Sequence, residues 1–225
     1  MLEVLHEDNH VIVVNKKSSD IVQGDKTGDE TLADKIKAYL KIKYQKPGNV
    51  FCGVVHRLDR PTSGALVFAR TSKGLSRLNE QFRDKSTKKI YWAIVEGSPD
   101  NEEGTLIHYL KKNEKQNKSY ASLNESPGTK KAILRYKLLL KSERYSLLEV
   151  ELETGRHHQI RVQLASIGSI IKGDLKYGAK RSNRDGSISL HARSITFSHP
   201  TSKESITVVA PVPDDKLWKW FEANL

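Results

Sequence analysis

One acidic residue, Asp59, stands between Arg57 and Arg60 in the stretch Val54-Val55-His56-Arg57-Leu58-Asp59-Arg60-Pro61-Thr62-Ser63-Gly64. In an extended segment Leu58 points one way while Arg57 and Asp59 share the other side. Pro61 restricts Arg60 to extended conformations. Thr62, Ser63 and Gly64 are residues that supply a turn, with amides or hydroxyls to meet a carboxylate or a phosphate. Cationic neighbours within ~4–6 Å keep a carboxylate ionised at neutral pH. That state suits a nucleophile or a base better than a proton donor. A structural ion pair accounts for the same pattern, and the stretch alone leaves both readings open.

Other chemistries find less support. The sequence has no glycine-rich dinucleotide fingerprint after a strand and no phosphate-binding loop motif. It has no paired cysteines of zinc-site spacing, and the serine of Gly74-Leu75-Ser76 lies outside a nucleophile-elbow motif. His157 and His158 are adjacent, which suits joint coordination of one metal on neither a strand nor a helix; a polar pair at a helix start is the plainer reading. Cys52 is the only cysteine. It sits in an apolar run and reads as a buried structural thiol. With no internal disulfide possible, the chain suits a reducing compartment. Any catalysis here is expected to use ordinary side chains, with no metal and no cofactor.

The elements that must position Asp59 follow from periodicity. Val11 to Asn15 reads as a buried strand, and Gly64 to Ala69 as a second. Thr31 with Asp34 resembles a helix cap, and Leu32, Ile36, Tyr39 and Leu40 predict a helix over 32–43, ended by Pro47-Gly48. Leu75, Leu78 and Phe82 predict another over 73–83. Lys88 to Gly97 reads as a central strand with Lys89, Tyr91, Ala93 and Val95 on one face and Ile90, Trp92 and Ile94 on the other. From Ser98 to Lys131 the chain turns polar and reads as loop, with at most a short strand at 105–110. Leu148, Val150 and Leu152 alternate with Glu149, Glu151 and Glu153 as in a half-buried strand. Ile160, Leu164 and Ile167 predict a short helix ended by Gly168. Two late strands, at 188–197 and 205–210, precede a closing helix capped by Asp214 or Asp215. Short connections between strands favour antiparallel pairing, so an α+β fold with a mixed, largely antiparallel sheet is expected. The length of 225 residues fits one large domain or two small ones; a single domain is expected.

Lysine and arginine number 38 against 27 aspartates and glutamates, a net charge of +11. That excess points to a polyanion, most simply a nucleic acid, although a basic surface without such a partner gives the same count. The N-terminus lacks the pattern of a signal peptide, and no apolar run is long enough to span a bilayer. A cytoplasmic monomer away from membranes is expected.

The pattern around Asp59 continues along the chain. Val11 to Lys16, His56 to Ala69, Lys88 to Gly97, Gly155 to Gly178 and Leu190 to Pro200 occur in the order of the blocks of RluA-type RNA pseudouridine synthases, and the chain resembles that family over nearly its whole length. The resemblance implies a mixed sheet with a central RNA-binding cleft. It implies isomerisation of uridine to pseudouridine in ribosomal or transfer RNA, by base flipping, cleavage of the glycosidic bond, rotation and re-attachment through C5. It places Asp59 on the catalytic aspartate, Tyr91 on the tyrosine that lies against the base, and Arg161 on the arginine that pairs with the aspartate. Arg57 falls on the arginine that enters the RNA stack as the base leaves. His56, Arg60, Thr62, Arg156, His158 and Gln159 are the further residues expected to bind substrate.

Three positions depart from the family's usual pattern: Lys17 stands where proline is common, His157 where threonine or serine is usual, and Gln163 where histidine is usual. The chain starts too close to its first strand for the small N-terminal RNA-binding module of some relatives, so none is expected. Two other readings remain: a catalytically silent RNA-binding or RNA-folding protein that keeps the cleft, and a glycosidic-bond hydrolase with Asp174 as a second carboxylate. Asp174 itself reads as turn-forming and Tyr177 as packing. The lysines at 111, 112, 115 and 118, and the basic residues at 176, 180, 181 and 184, are solvated loop or RNA contact in equal measure.

Overall fold

Three of the helices begin where a side chain caps them. Thr31 Oγ1 accepts from the Asp34 amide at 3.1 Å and donates to Asp34 Oδ2 at 2.7 Å, which starts α1 (Leu32–Lys43). Such a cap contributes ~1 kcal/mol. Thr71 accepts from the Gly74 amide and starts α2 (Ser72–Arg83). Asp215, not Asp214, caps α4 (Lys216–Ala223), accepting from the amides of Leu217 and Trp218. Helix α3 (Gln159–Ser166) has no side-chain cap; His158 before it lies in the left-handed region at φ 53°.

The computed structural model describes residues 2–24 and 28–225. Its strands are β1 (Val4–Glu7), β2 (Val11–Lys16), β3 (Gly53–Val54), β4 (Ser63–Ala69), β5 (Lys88–Glu96), β6 (Glu103–Asn113), β7 (Lys118–Ser122), β8 (Lys130–Lys141), β9 (Tyr145–Leu152), β10 (Leu190–Ser198) and β11 (Ser205–Val209). The fold is α+β with largely antiparallel strand pairing, as the sequence predicts. No helix among the described residues is long and apolar enough to cross a membrane.

The residues group into two compact units: 1–89 with 192–211, and 90–191 with 212–225. In the first, the strand order is β1-β2-β4-β10, with β3 added to β4 and β11 to β10. Its core joins Val11, Val13, Ala65, Val67, Ala69, Ile195 and Phe197 to Leu75, Leu78 and Phe82 of α2. In the second, the order is β5-β9-β8-β6-β7. Helix α3 covers one face of this sheet: Val162 and Ala165 pack with Leu110, Ala132 and Tyr177. Helix α4 covers the other face at the β5–β9 end, where Trp218 and Phe221 pack on Trp92, Ile94 and Leu147.

Two expectations are corrected here. The segment 98–131 is not loop: β6 and β7 form a hairpin with Lys111 opposite Tyr120 and Asn113 opposite Lys118. Strand β8, which no pattern announced, pairs with both β6 and β9. The physical reason is that one face of this part of the sheet meets water. Lysines and tyrosines alternate there with small buried residues such as Ser119 and Ala132, and the strand period is hidden.

Strand β1 was also unforeseen, and it carries Glu7, a buried hub of the first unit. Glu7 accepts from the Tyr39 hydroxyl at 2.9 Å, the Tyr44 hydroxyl at 2.7 Å and Lys43 Nζ at 2.8 Å, and pairs with the buried Arg70 at 3.1 Å. Burial opposes its ionisation, but the bonds from Lys43, Tyr44 and Tyr39 outweigh it and hold the carboxyl below the usual range. A carboxyl depressed in the folded state stabilises above its unfolded pKa and loses that contribution as pH falls through the folded value. Glu7→Gln leaves the buried Arg70 without its carboxylate and is expected to cost ~3 kcal/mol in urea unfolding at pH 7. Because its loss removes one source of acid sensitivity, the gap to the parent chain is expected to shrink as pH is lowered below the ordinary carboxylate range.

Candidate active site

The Asp59 loop is fixed from below by a lysine. Lys16, at the end of β2, is fully buried at 0% exposure. Its Nζ donates to the carbonyls of Lys17 at 3.0 Å, Arg60 at 3.0 Å and Thr62 at 2.7 Å. The Ser19 amide adds a bond to the Arg60 carbonyl at 3.0 Å. Burial pulls the Lys16 pKa down to about 8, against the charges of Asp20 and Asp59, which favour the ammonium. Three carbonyls take the place of water around this cation. Lys17 donates its amide to Asp20 at 3.2 Å, a bond that the family's proline would not make.

Within the loop the side chains divide as the alternation requires. Leu58 is buried, Arg57 is exposed and Asp59 is partly exposed. The turn lies two residues earlier than expected: the Thr62 amide donates to the Asp59 carbonyl at 3.0 Å, with Arg60 and Pro61 at the corners, while Ser63 and Gly64 belong to β4. The Thr62 hydroxyl is buried and has no hydrogen-bond partner among the described residues. Gly64, at φ +119°, must be glycine, since a Cβ there would lie 2.4 Å from the Ala192 carbonyl oxygen of β10. Arg60 pairs with Asp29 at 3.6 Å on the surface.

His56 holds the loop's other side. Its Nε2 accepts from the Val67 amide at 3.1 Å and its ring stacks on Phe82 at 4.6 Å. Burial, reinforced by Lys89, drops its pKa to about 3. The ring is therefore neutral, with its proton on Nδ1, and acts on the fold. Cys52 is half-buried rather than buried, and burial pushes its thiol up to about 12, so it supplies no thiolate.

In the second unit Tyr91 sits on β5, 8% exposed and opposite Val150 of β9. Arg161 projects from α3 and is 5% exposed; it grips Asp174 by two parallel bonds, Nε to Oδ2 at 2.7 Å and NH2 to Oδ1 at 2.8 Å. Its guanidinium also lies over the Tyr177 ring at 5.2 Å. The bidentate geometry fixes the plane of the cation more firmly than packing alone. Asp174 is thus the anchor of Arg161 and more than a turn residue, and Tyr177 is more than packing.

Tyr177 knits the loop before α3. Its oxygen accepts from the Ser119 amide at 2.8 Å and lies 2.9 Å from His158 Nδ1. His158 stacks on His157, whose Nδ1 meets the Ser119 hydroxyl at 2.8 Å. Gln159 Oε1 accepts from Thr154 Oγ1 at 2.7 Å and the Arg156 amide at 3.0 Å, and its Nε2 donates to the Ile133 carbonyl at 3.0 Å. His158 and Gln159 are buried, so they shape the loop from within, while Arg156 is exposed, with its Nε on the Lys131 carbonyl. Gln163, where the family usually has histidine, bonds His108 at 3.0 Å and the Leu106 carbonyl at 3.0 Å.

Sequence reasoning missed Lys16 and Asp174. A lysine in a strand end and a Gly-Asp in a polar run carry no local mark of burial. Asp174→Asn keeps the shape but removes the charge from the bidentate partner of Arg161. It is expected to cost ~3 kcal/mol in urea unfolding, and an unchanged midpoint would show the pair to be dispensable.

Residues 10–166 match the family model described as RNA pseudouridylate synthase. An uncharacterised RNA pseudouridine synthase of Bacillus subtilis is 38% identical over 221 residues, which is 95% of this chain and 70% of that protein. Ribosomal large subunit pseudouridine synthase D of Zymomonas mobilis is 34% identical over 95% of this chain and 70% of its own length. A Synechocystis relative, also 34% identical, is spanned over 66% of its length, so this chain covers about two thirds of the curated relatives it matches. The solved structure of human RNA pseudouridylate synthase domain containing 4 shares the fold, with a TM-score of 0.81 at 23% identity over 99% of this chain and 92% of that one. By sequence and fold together, the chain belongs to the RNA pseudouridylate synthase family.

Proposed function

We propose that this chain isomerises uridine to pseudouridine in RNA, with ribosomal RNA the substrate class that the names of its relatives suggest. The observation that carries the reading is the family match over 10–166, the span in which Asp59, Tyr91 and Arg161 lie. That match runs through residues of both compact units, which supports reading the chain as a single catalytic domain.

In this reading Asp59 is the catalytic carboxylate, Tyr91 offers a ring to the uracil, and Arg161 is the counter-ion of Asp59. The glycosidic N1–C1′ bond breaks, the uracil turns, and C5 bonds to C1′ while the C5 proton leaves and N1 gains one. Atoms and electrons balance within the nucleotide, so the reading needs no metal or redox cofactor. The target base must leave its stack, at a cost of a few kcal/mol. Arg57, exposed beside Asp59, is the side chain to fill the gap, and Arg60, Thr62, His56 and the 156–159 loop shape the approach. Asp59 acts by taking the ribose 2′ proton to give a glycal. The reading places the protein in the cytoplasm as a monomer. The hydrolase alternative gains nothing, because Asp174 is held by Arg161 in the second unit.

Incubation with cellular RNA that lacks its modifications, followed by mapping of pseudouridine, tests the proposal. New pseudouridine at defined uridines is expected; its absence from every RNA class sinks the reading. Asp59→Asn is expected to abolish product while RNA affinity stays within a few fold, and full turnover in that variant removes Asp59 from the mechanism. Substrate deuterated at the target's 2′ carbon is expected to react more slowly in single turnover. Equal rates, with chemistry limiting, would argue against proton abstraction.

A further inference from the structure

The sheet of the second unit has one face that helices leave partly open. Register places Tyr91, Val150, Tyr136 and Gly104 on one face, and Glu151, Arg135 and Thr105 on the other. That second face is covered by α4 only at its β5–β9 end. Towards β6 and β7 it presents Ile107, Tyr109 and Lys111 from β6, Tyr120 and Ser122 from β7, and Lys131 and Ile133 from β8. Ile107 is 47% exposed and Tyr120 48%.

The chemistry of this face is specific. Tyr109 lies opposite both Ser122 and Lys131, and Lys111 lies opposite Tyr120, so rings and cations alternate across three strands. The Tyr120 ring is held in place: its hydroxyl donates to Gln116, and Lys118 Nζ stands 5.6 Å from its centroid. Lys111 and Lys131 take part in no ion pair among the described residues. The nearby acid at the hairpin tip, Glu114, is taken by Lys112 at 2.7 Å. Towards β9 the face becomes neutral, because Arg135 meets Glu153 and Lys137 lies opposite Glu149. Charge is thus unbalanced where the rings are.

We propose that this open face of β7-β6-β8 is a second RNA-contact surface, which takes single-stranded nucleotides of the substrate on Tyr109 and Tyr120 with their phosphates on Lys111 and Lys131. It lies on the opposite face of the sheet from Tyr91 and serves nucleotides other than the target. The proposal rests on the reading that the substrate is RNA. Every base has a π-face, so rings held between cations bind single strands with little regard to sequence. A duplex hides those faces and offers only its phosphates.

A fluorescent twelve-nucleotide oligouridylate and a self-complementary duplex of the same length are the probes, titrated into the full chain. The single strand is expected to bind more tightly than the duplex. Tyr109→Ala with Tyr120→Ala is expected to weaken oligouridylate at least about tenfold. Lys111→Gln with Lys131→Gln is expected to lower the slope of log affinity against log salt by about 1.4, two phosphate contacts on a single strand. Tyr120→Phe, which keeps the ring, is expected to bind as the parent does, and circular dichroism shows whether each variant is folded. The lysine pair, on the exposed face, keeps the test decisive if the double tyrosine variant unfolds. Parent-like affinity and slope in folded variants overturn the proposal, as does equal binding of the duplex. A dimer in sedimentation that the variants dissociate, with oligouridylate binding unchanged, overturns it in favour of a second copy of the chain. Pseudouridine mapping with the parent chain is scored separately: product from a parent whose variants bind normally removes this surface alone, and no product removes the enzyme reading.

Discussion

A buried ammonium demands oxygen around it, and the Lys16 cation meets that demand with the carbonyls of Lys17, Arg60 and Thr62. The chain on either side of Asp59 must then bend so that those carbonyls point inwards. Leu58 is drawn under the loop, Arg57 is turned out, and the tight contact of Gly64 with Ala192 sets where β4 begins. The carboxylate's position follows from a cation more than forty residues earlier. A buried charge costs several kcal/mol unless it is solvated by the protein, and the loop is the solvent.

The second unit uses the same device with opposite roles. There the cation is Arg161 and a buried carboxylate is its support. Asp174 fixes the plane of Arg161, Tyr177 lies beneath the guanidinium, and the hydroxyl of Tyr177 ties in His158 and the Ser119 amide. The strand that carries Ser119 is therefore part of the support for Arg161. Each unit thus holds a buried ion whose partners fix the chain around it.

What was legible in the sequence divides along physical lines. Helices announced themselves through caps and apolar spacing: α1 begins at Leu32 and ends at Lys43 as Thr31 and the leucine pattern require. Asp59, Tyr91 and Arg161 stand out in the sequence as candidates because their neighbours form motifs. Lys16 and Asp174 were not, since long-range contacts alone bury them and the residues beside them look like surface. Asp174 lies 13 residues from its partner, across a loop with no period. The hairpin β6–β7 was hidden because a half-solvated strand carrying lysines at solvent positions resembles a polar loop. His158 and Gln159, named as candidate substrate contacts, also bond to Tyr177, Thr154 and the Ile133 carbonyl, contacts that no motif announces. A motif names positions, and burial decides what each side chain reaches.

Strand β7 ends the sheet order of its unit, so its outer backbone groups have no strand beside them in that unit. Such a border is a template on which another chain can grow. The strand is short, and the lysines at 115 and 118 stand at the end by which another strand would approach. Bringing two such borders together would crowd like charges at short range. Neutralising those lysines would remove that repulsion even if the fold were untouched.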